Sequence, residues 1–205
     1  MINKNIILAA KVISLVFTPF YLPLVALIML FLFSYLSMLP LFYKVFVLLL
    51  VYLMTILLPT FIIHVYRRYQ NWSLLQMSLR KRRVVPYVVS ILCYLLCLYV
   101  MHVIHIPHFM GSIVMAALSI QIACAITNIW WKISTHTAGI GGMYGAISAF
   151  SIIFVFNPIW WLSLLILLGG LVATARMILR QHTLNQVVGG FLIGSVAAFF
   201  SILLI

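Results

Sequence analysis

The chain has no aspartate and no glutamate among its 205 residues. That absence removes catalysis by paired carboxylates, acidic sites for Mg²⁺ or Ca²⁺, and carboxylate proton relays. Charge of any kind is scarce: twelve Lys or Arg make up the whole 6% charged fraction, and they leave a net charge of +12. An ordinary soluble domain is about 25% charged, so no stretch of this chain has the composition of a separate water-soluble domain. Cysteine is sparse as well. Cys93, Cys97 and Cys124 lie inside apolar runs, where they read as packing residues and carry no message about redox compartment.

Hydrophobic residues are what the chain has in excess, at 67%. Roughly 20 mostly apolar residues cross about 30 Å of hydrocarbon. Seven runs meet that length: Val12–Leu36, Leu41–Tyr66, Val84–Ile104, Phe109–Trp131, Ala138–Phe156, Ile159–Leu179 and Leu184–Ile205. The expected fold is therefore all-α, a polytopic transmembrane helix bundle of about six to seven spans. It forms a single membrane domain over residues 1–205, with its functional site at one membrane face. Pro19 and Pro23 predict a kinked or partly re-entrant first run. The first eleven residues lead into a run too long for a signal-peptide core, so no cleaved leader is expected. The expected location is a bacterial cytoplasmic membrane, as a multi-pass integral protein.

If all seven runs cross, Lys4, Lys11, Arg67, Arg68, Arg80, Lys81, Arg82, Arg83, Lys132, Arg176 and Arg180 share one face, and only Lys44 falls on the other. The positive-inside rule would put the crowded face in the cytoplasm, unless those cations serve a binding site instead. Three connections on that face carry polar chemistry. Arg80-Lys81-Arg82-Arg83 precedes the third run. Lys132-Ile133-Ser134-Thr135-His136-Thr137-Ala138-Gly139 joins the fourth to the fifth. Arg176, five further residues and then His182-Thr183-Leu184-Asn185-Gln186 join the sixth to the seventh. Two spans separate each connection from the next, so the shared face survives a reversal of orientation.

Cations and two histidines at one face suit phosphoryl transfer. That reaction needs fixed positive charge around the phosphoryl oxygens, a nucleophile, and an acid for the leaving oxygen. Imidazole serves as nucleophile or acid near neutrality, its unperturbed pKa being about 6.5. A serine hydroxyl and helix N-terminal N–H groups add neutral donors. Such a site requires no metal and no cofactor. Taken singly, His136 and His182 read as interfacial histidines and Arg176 as a snorkelling cation. Their spacing and shared face favour one anion site. Arg67, Arg68, Lys81 and Arg180 read as topology or headgroup cations. His102, His105 and His108 recur every three residues on the opposite face without a carboxylate or thiolate companion, and His64 reads as a packing residue. Gly139, Gly141, Gly142 and Gly145, with Gly189, Gly190 and Gly194, follow the small-residue spacing of close helix contact. Asn71-Trp72-Ser73 has the form of a glycosylation sequon, a pattern common by chance.

The pairing of Ser134-x-His136-x-Ala138-Gly139 with Arg176-x5-His182 and a glycine-rich helix start resembles the type 2 phosphatidic acid phosphatase superfamily. The resemblance runs from about residue 80 to 205. It implies a membrane phosphatase acting on a lipid or polyprenyl phosphate or pyrophosphate. His182 takes the position of the nucleophile that forms a phosphohistidine. His136 takes that of the acid that protonates the leaving group and later activates water. Arg176 and Ser134 take phosphate-contacting positions. Arg83 and Arg80 stand in for a first motif that departs from the family's pattern, Val85 preceding Pro86 where Arg is usual, and Lys132 supplies an ammonium. Gln186 stands where the family usually has the Asp that orients the nucleophile. The implied partners are the phosphate substrate and membrane lipids, with no nucleic acid. The family usually has six spans and a site facing away from the cytoplasm. Two alternatives stay open: a catalytically inactive relative that binds anionic lipid headgroups, favoured by Gln186, and an anion transporter.

Overall fold

The computed structural model describes residues 4–33, 35–70 and 84–204. Among the described residues every regular element is helical. In chain order these are α1 (Lys4–Val16), α2 (Leu22–Phe33), α3 (Leu41–Tyr69), α4 (Val84–Val103), α5 (His108–Trp130), α6 (Thr135–Phe154), α7 (Ile159–Ile178) and α8 (Leu184–Leu203). Seven segments are long and apolar enough to cross a membrane: Lys4–Tyr21 and the six helices α3 to α8. The protein is an integral membrane protein. Its outer surface carries large apolar side chains such as Leu8, Phe42, Leu92, Trp160 and Leu192, as a hydrocarbon solvent allows.

The last six expected runs each coincide with a helix to within a few residues. The first does not form one helix. It begins earlier, at Lys4, and breaks at a 3₁₀ turn, Pro19–Tyr21, before α2. Proline has no N–H to donate, and its ring clashes with the carbonyl four residues back, so Pro19 cannot continue α1. Pro23 is tolerated because it falls in the first turn of α2. The helix α3 runs past the expected Tyr66 to Tyr69 and contains a π turn, Leu53–Leu57, just before Pro59. Thr55 donates its hydroxyl to the Val51 carbonyl at 2.7 Å, and Thr60 donates to Ile56 at 2.6 Å, which supports the backbone around that turn.

Helices α2 to α5 enclose one core, built on Leu27, Val47, Val51, Tyr94, Met110 and Val114. A second, made of small residues, joins α5, α6 and α8 through Ala116, Ala146, Ala149 and Ala198. The closest seam lies between α6 and α8. A Cβ on Gly141 would collide with the Phe191 carbonyl, one on Gly145 with that of Ser195, and one on Gly194 with that of Ala138. At Gly190 it would lie 2.6 Å from the Ser134 carbonyl oxygen. Gly141, Gly145, Gly190 and Gly194 are therefore used for backbone-to-backbone packing, which only residues without a side chain permit, while Gly142 and Gly189 make room for the Ile120 and Trp131 side chains. This seam brings the N-terminal ends of α6 and α8 together.

Candidate active site

The spacing between Arg176 and His182 has a structural cause. Helix α7 ends in a Schellman turn. The Gln181 N–H donates to the Arg176 carbonyl at 3.2 Å and the Arg180 N–H to that of Met177 at 2.9 Å, with Arg180 in the left-handed region at φ 53°. Helix α8 starts at Thr183 in a capping box with Gln186. His182 is the single residue between the stop of one helix and the cap of the next. It is held there with 7% of its surface exposed.

Gln186 serves both sides of that junction. Its Oε1 accepts the Thr183 backbone N–H at 3.3 Å and lies 3.2 Å from His182 Nδ1. A backbone N–H can only donate, so the side-chain carbonyl, and not the NH₂, must face it. The same oxygen can then only accept from His182, which places the proton on Nδ1. In the neutral ring the lone pair then lies on Nε2.

On the other side of the seam, Ile133 and Ser134 are completely buried. The Ser134 N–H donates to the Gln186 carbonyl at 3.3 Å, a direct backbone link between the two motifs. Ser134 precedes the first residue of α6, yet its hydroxyl makes no cap bond. The Thr137 hydroxyl instead donates to the Ser134 carbonyl at 3.0 Å. The Ser134 Oγ is buried with no hydrogen-bond partner among the described residues. His136 lies in the first turn of α6, half-buried. Lys132 donates from Nζ to the Gln181 carbonyl at 2.8 Å, tying the α5–α6 connection to the α7–α8 connection.

Arg176 is in the last turn of α7 and only 8% exposed; its Nη1 donates to the Ser14 hydroxyl of α1 at 2.7 Å. The chain has no Asp or Glu to pair with it. A buried guanidinium without a carboxylate beside it favours an anionic ligand. The N-termini of α6 and α8 meet at the Ser134–Gln186 backbone bond, and their partial positive charge favours the same kind of ligand.

Arg80 and Arg83 lie outside the described residues, as do Lys81 and Asn71-Trp72-Ser73. Ser134, His136, Lys132, Arg176, His182 and Gln186 all fall at the α5–α6 and α7–α8 connections. His102, His105 and His108 are exposed around the α4–α5 connection, at the other end of the bundle. Reading the sequence missed Ser14, which sits 162 residues from its partner and carries no local signal. It also missed the cap: Thr183-x-x-Gln186 has the capping-box form and was legible.

The family described as the PAP2 superfamily matches residues 127–205. That segment holds Lys132, Ser134, His136, Arg176, His182 and Gln186, and leaves α1 to α4 outside. No curated protein and no solved structure matches the chain.

Proposed function

Starting from the likeness of residues 127–205 to the PAP2 superfamily, we propose that the protein is a membrane phosphatase. On this reading it hydrolyses a lipid or polyprenyl phosphate or pyrophosphate through a phosphohistidine. The observation that carries the reading is the pairing of His182 Nδ1 with a carbonyl oxygen already pinned by the Thr183 N–H. It orients the imidazole so that Nε2 of the neutral ring carries the lone pair a nucleophile needs.

Arg176, Lys132 and the Ser134 hydroxyl hold the phosphoryl oxygens; Arg83 and Arg80, outside the described residues, are the further substrate cations that the resemblance implies. His182 Nε2 attacks phosphorus, the P–N bond forms, and the P–O bond to the leaving group breaks. Protonated His136 gives its proton to the departing oxygen. A water then attacks the phosphohistidine while neutral His136 takes its proton, and inorganic phosphate leaves with His182 restored. The guanidinium and ammonium groups are fixed before reaction, so they stabilise charge developing on the phosphoryl oxygens without reorganising. The hydrocarbon part of the substrate stays among the membrane-facing helices.

The test is release of inorganic phosphate by the purified protein from phosphatidate and from undecaprenyl pyrophosphate. His182→Ala should abolish it. Equal rates for His182→Ala and wild type would remove His182 from the nucleophile role. Gln186, a neutral residue beside the nucleophile, favours a second reading, a relative that binds anionic headgroups without turnover. Saturable lipid binding with no phosphate release from any substrate would establish that reading instead.

A further inference from the structure

We infer that Ser14, on a helix outside the matched segment, is a positioning residue for the Arg176 guanidinium and so sets the phosphate affinity of the site. The inference rests on the reading of that site as a phosphate site. Helix α1 has two buried positions, Ala10 and Ser14, one helical turn apart. Both are small, and α1 packs beside α7, with Ala9, Ala10 and Ile13 facing Leu171, Thr174 and Ala175 across a shallow apolar groove. Ser14 is thereby brought within 2.7 Å of Arg176 Nη1, with 9% of its own surface exposed.

The chemistry of the acceptor matters more than its presence. A buried arginine is usually held by a carboxylate, which fixes the guanidinium and cancels its charge in one contact. A hydroxyl fixes one N–H and cancels nothing. The guanidinium N–H given to Ser14 leaves the positive charge itself uncancelled by that contact, for a phosphoryl group to meet. The long side chain of Arg176 has many rotamers. Without the Ser14 acceptor it would sample more of them whenever the site is empty, and each substrate would have to order it further on binding. An anchor that is neutral removes this cost and leaves the attraction intact. Because Arg176 contacts the phosphoryl oxygens both before and during reaction, its misplacement weakens ground state and transition state alike, so the effect falls on KM.

Three substitutions separate the possibilities. Ser14→Ala removes the acceptor, Ser14→Thr keeps a hydroxyl, and Ser14→Asp supplies the missing charge. The readouts are calorimetric binding of inorganic phosphate to the purified protein, and KM and kcat with phosphatidate. Ser14→Ala should weaken phosphate binding and raise KM about tenfold, with kcat within about threefold of wild type. Ser14→Thr should restore both. Ser14→Asp should bind phosphate more weakly than Ser14→Ala, because an internal carboxylate then competes for the guanidinium. If Ser14→Ala binds phosphate as tightly as wild type, Ser14 only packs α1 against α7 and the inference is overturned; a wild type that binds no phosphate overturns it too. Phosphate binding that responds to Ser14 in a protein without turnover supports the inference while removing the hydrolase reading. Loss of turnover in His182→Ala beside unchanged binding in Ser14→Ala does the reverse.

Discussion

Exchanging Gln186 for Glu and for Ala tests the junction between α7 and α8 most directly, because one oxygen there has two donors. The bond to the Thr183 N–H is a helix cap, and losing such a cap costs about 1 kcal/mol of stability. The bond to His182 Nδ1 is a neutral hydrogen bond of about 1 kcal/mol net, and it selects the tautomer with the lone pair on Nε2. At about 1.4 kcal/mol per factor of ten, Gln186→Ala should lower kcat roughly fivefold. Any rotation of the ring released by the same change would add to that loss. Gln186→Glu keeps the length of the side chain and turns the acceptor into a carboxylate. Charge-assisted hydrogen bonds are about twice as strong as neutral ones, and the gain is largest once the ring carries positive charge, as it does after Nε2 attacks phosphorus. The expected result is a kcat about fivefold above wild type. A carboxylate in the first turn of a helix also adds about 0.3–1 kcal/mol of stability through the helix dipole. Single-turnover phosphate release gives the chemical step, and thermal unfolding in detergent gives stability separately. If Gln186→Ala loses stability while keeping the wild-type rate, and Gln186→Glu gains none, then Gln186 is only a cap and its bond to His182 has no part in the reaction.

Ser134→Ala should act in opposite directions on stability and binding. It removes a hydroxyl that is completely buried without a partner, a group whose desolvation costs about 1–3 kcal/mol. The phosphate-free protein should therefore melt at a higher temperature, while its affinity for inorganic phosphate falls; a drop in melting temperature would show that the hydroxyl already has a partner. Gly194→Ala drives a methyl group into the Ala138 carbonyl, and overpacking of this kind costs about 1–3 kcal/mol. Its unfolding in detergent should shift accordingly, whereas Gly170→Ala, where a Cβ meets nothing within 4 Å, should leave the transition in place. Arg180→Gly should stabilise the α7 terminus by about 1 kcal/mol, since a non-glycine residue at φ 53° pays for a left-handed conformation that glycine adopts freely. An unchanged or lower melting temperature would mean that the Arg180 side chain contributes more than its backbone costs.

The spans were legible because hydrocarbon length sets helix length, and the shared face of the motifs followed from counting crossings. The glycine rows of α6 and α8 were legible too, since few sequence patterns other than close packing place glycines at that spacing. The break in the first run was foreseen from Pro19 and Pro23, but its boundaries were not. Lys4 and Lys11 flank too weak a run of hydrophobicity to show that α1 starts at Lys4. Ser14 was out of reach for another reason. A serine in an apolar helix has no local feature that points to an arginine on a distant one, and only the packing of α1 on α7 joins them. The orientation of the Gln186 amide was likewise undecidable from composition, and was fixed by a backbone donor three residues away.

Where two backbones meet with no side chains between them, neither can slide along or roll over the other without steric overlap. The pair carrying His136 and His182 is therefore a single stiff jaw, and the distance across it does not adjust to the size of what it grips. Adjustment to guests of different size therefore falls to the helices outside that pair.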